Sequence, residues 1–104
     1  MSKTLSLEEV TEIFRAGSKG QPRLGGVLML DFGEDGCVRI EGHQAPYTID
    51  NQRGDADCTL FVSLSDFSLL HSGELQPQEA IVSERMRMTG AMGLAMKLRD
   101  LMED

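Results

Sequence analysis

Between Val27 and Asp50 the chain contains three strand-like runs, VLMLDF, CVRIEG and PYTID, each closed by turn residues and separated by only a few positions. Parallel neighbours need a crossover of a dozen or more residues, so connections this short predict an antiparallel meander. Its pattern also predicts a single buried face. Leu28, Leu30 and Phe32 fall on one side of the first run, and Val38 and Ile40 alternate with Cys37, Arg39 and Glu41 in the second.

Helical signals flank the meander. Residues 4–17, TLSLEEVTEIFRAG, predict a short amphipathic helix in which Ser6 and Glu9 form a capping box, Leu5 and Val10 a hydrophobic staple, and Gly17 the stop. Leu7, Val10, Ile13 and Phe14 form its buried stripe. After the loop SKGQPRLGG, the meander and the polar segment NQRGDA, the run DCTLFVSL predicts a strand with Cys58, Leu60, Val62 and Leu64 on one face. Ser65 is the expected cap of a helix ending at Gly73, and Pro77 the first residue of a further helical turn. SERMRMTG then alternates Met86 and Met88 with Arg85, Arg87 and Thr89, as a half-exposed strand does.

The last segment, TGAMGLAMKLRDLM, carries more apolar surface than docking requires. On a helical wheel Ala91, Leu94, Ala95, Leu98, Leu101 and Met102 form a stripe roughly 120° wide, sufficient to attach a helix to a core. Met92 and Met96 lie on a separate edge, one turn apart. They can widen the core contact, or they can close over an apolar ligand, a use that suits flexible and polarizable methionine.

Charge and residue types exclude several functions. A net charge of −7 on 104 residues argues against nucleic acid and anionic membrane surfaces, which select clustered Lys and Arg. No apolar run approaches the ~20 residues of a membrane span. The acidic residues in MSKTLSLEEV do not fit a signal peptide, and the expectation is a single domain over residues 1–104 in the cytoplasm. Cys37 and Cys58 lie outside any zinc or redox spacing and read as buried small hydrophobes rather than a disulfide. DNQRGDAD lacks the calcium-loop spacing, GGVLMLDFG places its glycines before a strand rather than after it, and His43 and His71 have no nucleophile context. No catalytic residue, metal or cofactor is expected.

The C-terminal half resembles the sterol carrier protein 2 family of small lipid-binding domains. ADCTLFVSLSDFSLLHSGELQPQEAI is similar to that family's DCT-type strand, DF helix start and G-x-L-x-P turn; MRMTGAMGLAMKLRDL is similar to its final strand, Gly turn and last helix. These motifs span Ala56–Leu101, and the N-terminal half matches in outline only. The resemblance implies an α+β fold: a five-stranded, largely antiparallel sheet with helices packed on one face, enclosing a hydrophobic tunnel. It implies binding and transfer of fatty acyl chains, fatty acyl-CoA, phospholipid or sterol, without a catalytic step.

Position by position, the ligand-binding residues it implies are Leu60, Val62, Phe67, Leu70, Ile81, Met86, Met88, Met92, Leu94, Met96 and Leu98, with Cys58 also facing inward. Alternation alone extends the inward set to Leu30, Phe32, Val38 and Ile40, shared with ordinary core. Arg85, Arg87, Lys97 and Arg99 are the nearby cations for a headgroup, and each reads first as a solvated charge. Three departures from the family stand out: Glu84 replaces its glycine before the last strand, the first helix is short, and the chain ends LMED without a peroxisomal address. A tunnel of this kind is expected to adapt by methionine repacking and movement of the last helix. The competing functions are a groove that receives a protein segment, and an accessory module presenting acyl substrate to a partner enzyme of lipid metabolism. Membrane contact is expected to be transient, without stable insertion.

Overall fold

The computed structural model describes residues 3–102, with the side chain of Arg99 outside that description. Helix α1 (Leu7–Gly17) starts at the expected capping box: Ser6 Oγ accepts from the Glu9 N–H at 3.1 Å, and the Glu9 carboxylate accepts from the Ser6 N–H at 3.0 Å. The Ser6 backbone N–H, followed by the hydrogen bond from Lys3, holds the Glu9 carboxyl below its ordinary pKa. Val10 and Phe14 are fully buried. Gly17, expected as the stop, is instead the last helical residue, and Ser18 caps in a right-handed conformation.

The meander forms β1 (Val27–Asp31), a 3-10 turn at Gly33–Asp35, β2 (Cys37–Glu41) and β3 (Thr48–Asp50). β4 (Cys58–Val62) leads into helix α2 (Leu64–Ser72), followed by helix α3 (Pro77–Val82), β5 (Met86–Gly90) and two short helices, α4 (Met92–Ala95) and α5 (Leu98–Met102). The sheet order is β3-β2-β1-β4-β5. Three pairings are antiparallel and one, β1 with β4, is parallel, with Leu30 opposite Leu60. The chain must therefore cross the sheet between β3 and β4.

That crossing corrects the expectation of one wet face. Residues 53–55 are held against the outer side: Arg39 Nε donates to Asp55 O at 3.1 Å, and Arg53 pairs with Asp31 at 3.0 Å and also donates to Gly33 O. Val27, Met29 and Cys37 on that side are buried. Asp57 then joins three strand ends. Its carboxylate and N–H bond the Val27 N–H and carbonyl, each at 2.8 Å, and its carbonyl accepts from the Ala91 N–H at 2.7 Å.

On the inner face Leu28, Leu30, Val38, Ile40, Leu60 and Val62 pack with Val10, Phe14, Phe32 and Phe67 in one apolar core. Phe67 sits 5.8 Å, centroid to centroid, from both Phe14 and Phe32. Ser68, buried on α2, accepts from the Leu5 N–H at 2.8 Å and ties the entry of α1 to α2. Asn51 Nδ2 bridges Thr11 Oγ1 on α1 and Cys37 O on β2 at 3.0 and 2.9 Å. α1, α2, α4 and α5 thus share the core face of a mixed, largely antiparallel sheet.

Candidate functional site

The connections after β4 shape the site. Ser63, not the expected Ser65, caps α2; its Oγ accepts from the Asp66 N–H at 3.0 Å, so Leu64 belongs to the helix rather than the strand. α2 ends in a Schellman motif: Gly73 is left-handed (φ 86°), its N–H donates to Leu70 O and that of Glu74 to Leu69 O. α3, begun by Pro77, ends identically, with Glu84 N–H on Ile81 O at 3.1 Å and Arg85 N–H on Ala80 O at 2.8 Å. Here the left-handed position is Glu84 itself, at φ 63°. The turn for which the resemblance implies glycine is kept, and its backbone strain is borne by a glutamate.

The expected continuous last helix is interrupted at Met96–Lys97. α4 is tethered at its start by Ala91 N–H to Asp57 O, and Lys97 Nζ donates to Leu24 O at 3.2 Å. α5 docks on α1, where Leu101 is buried. One straight rod cannot satisfy both attachments, and a tighter Lys97 N–H to Leu94 O bond takes up the bend.

These elements surround a cavity of about 720 Å³. The inner face of the sheet supplies Leu30, Leu60, Val62, Met86 and Met88; α2 and α3 supply Phe67, Leu70 and Ile81; the last two helices supply Met92, Met96 and Leu98. Of the eleven expected residues, Leu94 alone lies elsewhere. It is buried beneath α4 and packs toward Gly26, where a Cβ would come within 2.9 Å of it. Cys58, Phe32, Val38 and Ile40 also do not line the cavity and belong to the core. Burial raises the Cys58 thiol pKa against a smaller opposing effect of the Ala95 backbone N–H. Both cysteines are buried and free.

Sequence reasoning missed His71, Gly73, Leu75, Gln76, Pro77, Ala95, Asp100 and Met102. Most sit at helix ends and links, where periodicity carries no signal. The His71 ring stacks on Phe67 with centroids 6.4 Å apart. The expected headgroup cations are engaged away from the lining: Arg85 pairs with Asp66 at 2.9 Å, Arg87 lies over the Phe61 ring at 5.4 Å, and Lys97 bonds Leu24 O. The Arg99 side chain lies outside the described residues.

A dry, rigid void of this size would cost about 17 kcal/mol at ~24 cal/mol per Å³. That exceeds the ~5–15 kcal/mol stability of a small domain, so such a space is tenable only open to water or filled. Met92 and Met96 are 55% and 82% exposed and mark its open side. The volume falls within the ~300–1,000 Å³ usual for small-molecule sites. No group of three or more metal-ligating side chains occurs among the described residues.

The model of the SCP-2 sterol transfer family matches residues 17–103. The chain is 37% identical over 70 residues to human sterol carrier protein 2, a match covering 58% of this chain but 13% of that protein. It spans only a small part of the length of such curated relatives. Among solved structures, it superposes on Sterol Carrier Protein 2 Like 2 from Aedes aegypti with TM-score 0.69 and 20% identity, covering 88% of this chain and 92% of the other. It also superposes on palmitated SCP2L2 from Aedes aegypti with TM-score 0.63 and 21% identity, covering 96% of each. A five-stranded mixed sheet with its helices on the core face is the fold these structures share with it. By the family model's match over most of its length, this chain belongs to the SCP-2 sterol transfer family.

Proposed function

We propose that this chain binds one elongated apolar molecule in the cavity and carries it, with no covalent chemistry of its own. The observation that carries the reading is convergence: residues from β1, β4, β5, α2, α3 and both terminal helices turn apolar side chains onto one space of about 720 Å³. Each buried methylene contributes about 0.8 kcal/mol before entropic costs, so affinity follows chain length. The candidate occupants are fatty acyl chains, acyl-CoA, phospholipid and sterol, and the palmitated relative supports the first. No described helix is long and apolar enough to cross a membrane, which fits a carrier acting in the cytoplasm. The test is native mass spectrometry of the purified protein, followed by denaturation and extraction. A stoichiometric lipid, or uptake of one equivalent of added fatty acid, supports the carrier; a protein that takes up neither fatty acid, acyl-CoA nor sterol contradicts it.

The exposed Met92 and Met96 at the open side of the cavity support a second reading, a module that presents bound substrate to a catalytic partner. That reading predicts an increased rate when this chain is added to such an enzyme at fixed total lipid.

A further inference from the structure

Methionine sulfur is concentrated at the cavity. Met86, Met88, Met92, Met96 and Met102 line it, while Met29 is buried on the outer side of the sheet. The lining thioethers differ in their access to water: Met86 is buried, Met88 and Met102 are half-buried, and Met92 and Met96 are exposed at the open side. The competing sulfurs are out of reach. Cys37 and Cys58 are buried and free, and burial raises both thiol pKa values, which keeps them protonated and poorly nucleophilic.

We infer that Met92 and Met96 form an oxidation site at the cavity mouth, where hydrogen peroxide converts both thioethers to sulfoxides and lowers the affinity of the cavity for an apolar ligand. This rests on the cavity being the lipid site. A sulfur lone pair attacks one peroxide oxygen, the S–O bond forms as the O–O bond breaks, and the departing hydroxide takes the proton from the transferred oxygen and leaves as water. Sulfur is oxidised by two electrons and the peroxide is reduced by two. A flexible apolar side chain becomes a polar one. With the cavity empty each sulfoxide stays hydrated, because both positions face water, and the fold loses little. A bound alkyl chain displaces that water without offering a hydrogen bond, so the cost falls on binding. Oxidation of the buried Met29 or Met86 would instead disrupt the packing around them.

The experiment treats the full chain with hydrogen peroxide, locates oxygen gain at each methionine by peptide mass spectrometry, and compares dodecanol affinity and urea midpoint before and after. Met92 and Met96 are expected to gain oxygen first, and Met29 and Met86 last. Dodecanol binding is expected to weaken about three- to ten-fold, the partial cost of desolvating a polar group, at an unchanged urea midpoint. Methionine sulfoxide reductases for both epimers restore it. A variant carrying Met92→Leu and Met96→Leu is compared with its own untreated form, whatever its starting affinity, and peroxide is expected to cause it no further loss. The oxidation site is overturned, while the cavity reading stands, by any of four results: oxygen gain at Met29 or Met86 as fast as at Met92 and Met96, undiminished binding by the oxidised wild type, no recovery with the reductases, or an equal loss in the double variant. If dodecanol does not bind the untreated, folded protein, the cavity reading fails and takes this inference with it.

Discussion

Gly17 lies directly against the backbone of Leu101: a Cβ added to Gly17 would sit 1.7 Å from the Leu101 carbonyl oxygen. The contact joins α1 to α5, the helix that supplies Leu98 and Met102 to the cavity. Gly17 is therefore a close-approach residue and not a turn residue.

Gly17→Ala is expected to destabilise by about 3 kcal/mol, the upper end for overpacking, because backbone cannot rotate away as a side chain can. Urea unfolding measures the loss. Lipid affinity falls with it as α5 moves off its seat. A change below about 0.5 kcal/mol with unaltered affinity would mean that α5 docks elsewhere.

Glu84 predicts the opposite sign. It occupies the left-handed position of a Schellman motif, where a non-glycine residue costs about 1–2 kcal/mol, partly offset by the greater unfolded-state freedom of glycine. Glu84→Gly is expected to raise stability by about 0.5–1 kcal/mol, seen as a higher urea midpoint at unchanged slope. Glu84→Val, β-branched at the same φ, is expected to lower it.

Leu94 and the pair Met92 and Met96 separate folding from binding. Leu94→Ala removes a buried side chain and is expected to cost about 2–4 kcal/mol. The double substitution of Met92 and Met96 by Ala changes stability by less than about 0.5 kcal/mol, because both are exposed, yet weakens fatty-ligand binding several-fold. Titration of the variants with laurate and dodecanol checks the second statement. Unchanged affinity in the double variant removes these methionines from the wall.

The Asp31–Arg53 pair fixes the crossing segment and carries a pH signature. The hydrogen bond from Arg53, then the Gly33 N–H and the Arg53 charge, hold the Asp31 carboxyl below its ordinary range against a desolvation effect of opposite sign. A carboxyl with a lowered folded-state pKa contributes stability above its unfolded value and loses it as pH falls through the folded value. Arg53 is half exposed, so screening limits the contribution to below about 1 kcal/mol. Arg53→Met is expected to lower stability at neutral pH by that amount and to flatten the acid limb of the stability profile. A parallel profile would place the acid sensitivity elsewhere.

The strands were legible because alternation of Leu28, Leu30 and Phe32, and of Met86 with Met88, reports burial directly. The parallel β1–β4 pairing was not, since it depends on a crossing whose anchors, Arg39–Asp55 and Arg53–Asp31, join positions far apart in sequence. Ser63 and Ser65 are both competent caps, and the choice is made by where β4 ends against β5. The last helix read as one element because a wheel places residues on a face but does not reveal two docking partners, Leu24 and Gly17, in different directions. The apolar cavity residues emerged from strand alternation, the family motifs and the helix edge. His71, Gln76 and Asp100 did not, because polar residues near helix ends have the same local pattern whether they face water or a ligand.

The central claim is that one face of the molecule encloses a lipid, and methionine methyl resonances test it most directly. Met86, Met88, Met92, Met96 and Met102 line the cavity, whereas Met29 is buried on the outer side of the sheet and serves as an internal reference. With ¹³C-methyl methionine labelling, titration with dodecanol is expected to shift the five cavity methyls with one common affinity and to leave Met29 in place. Shifts distributed equally over Met29 and the cavity set, or none at saturating ligand, would contradict the account.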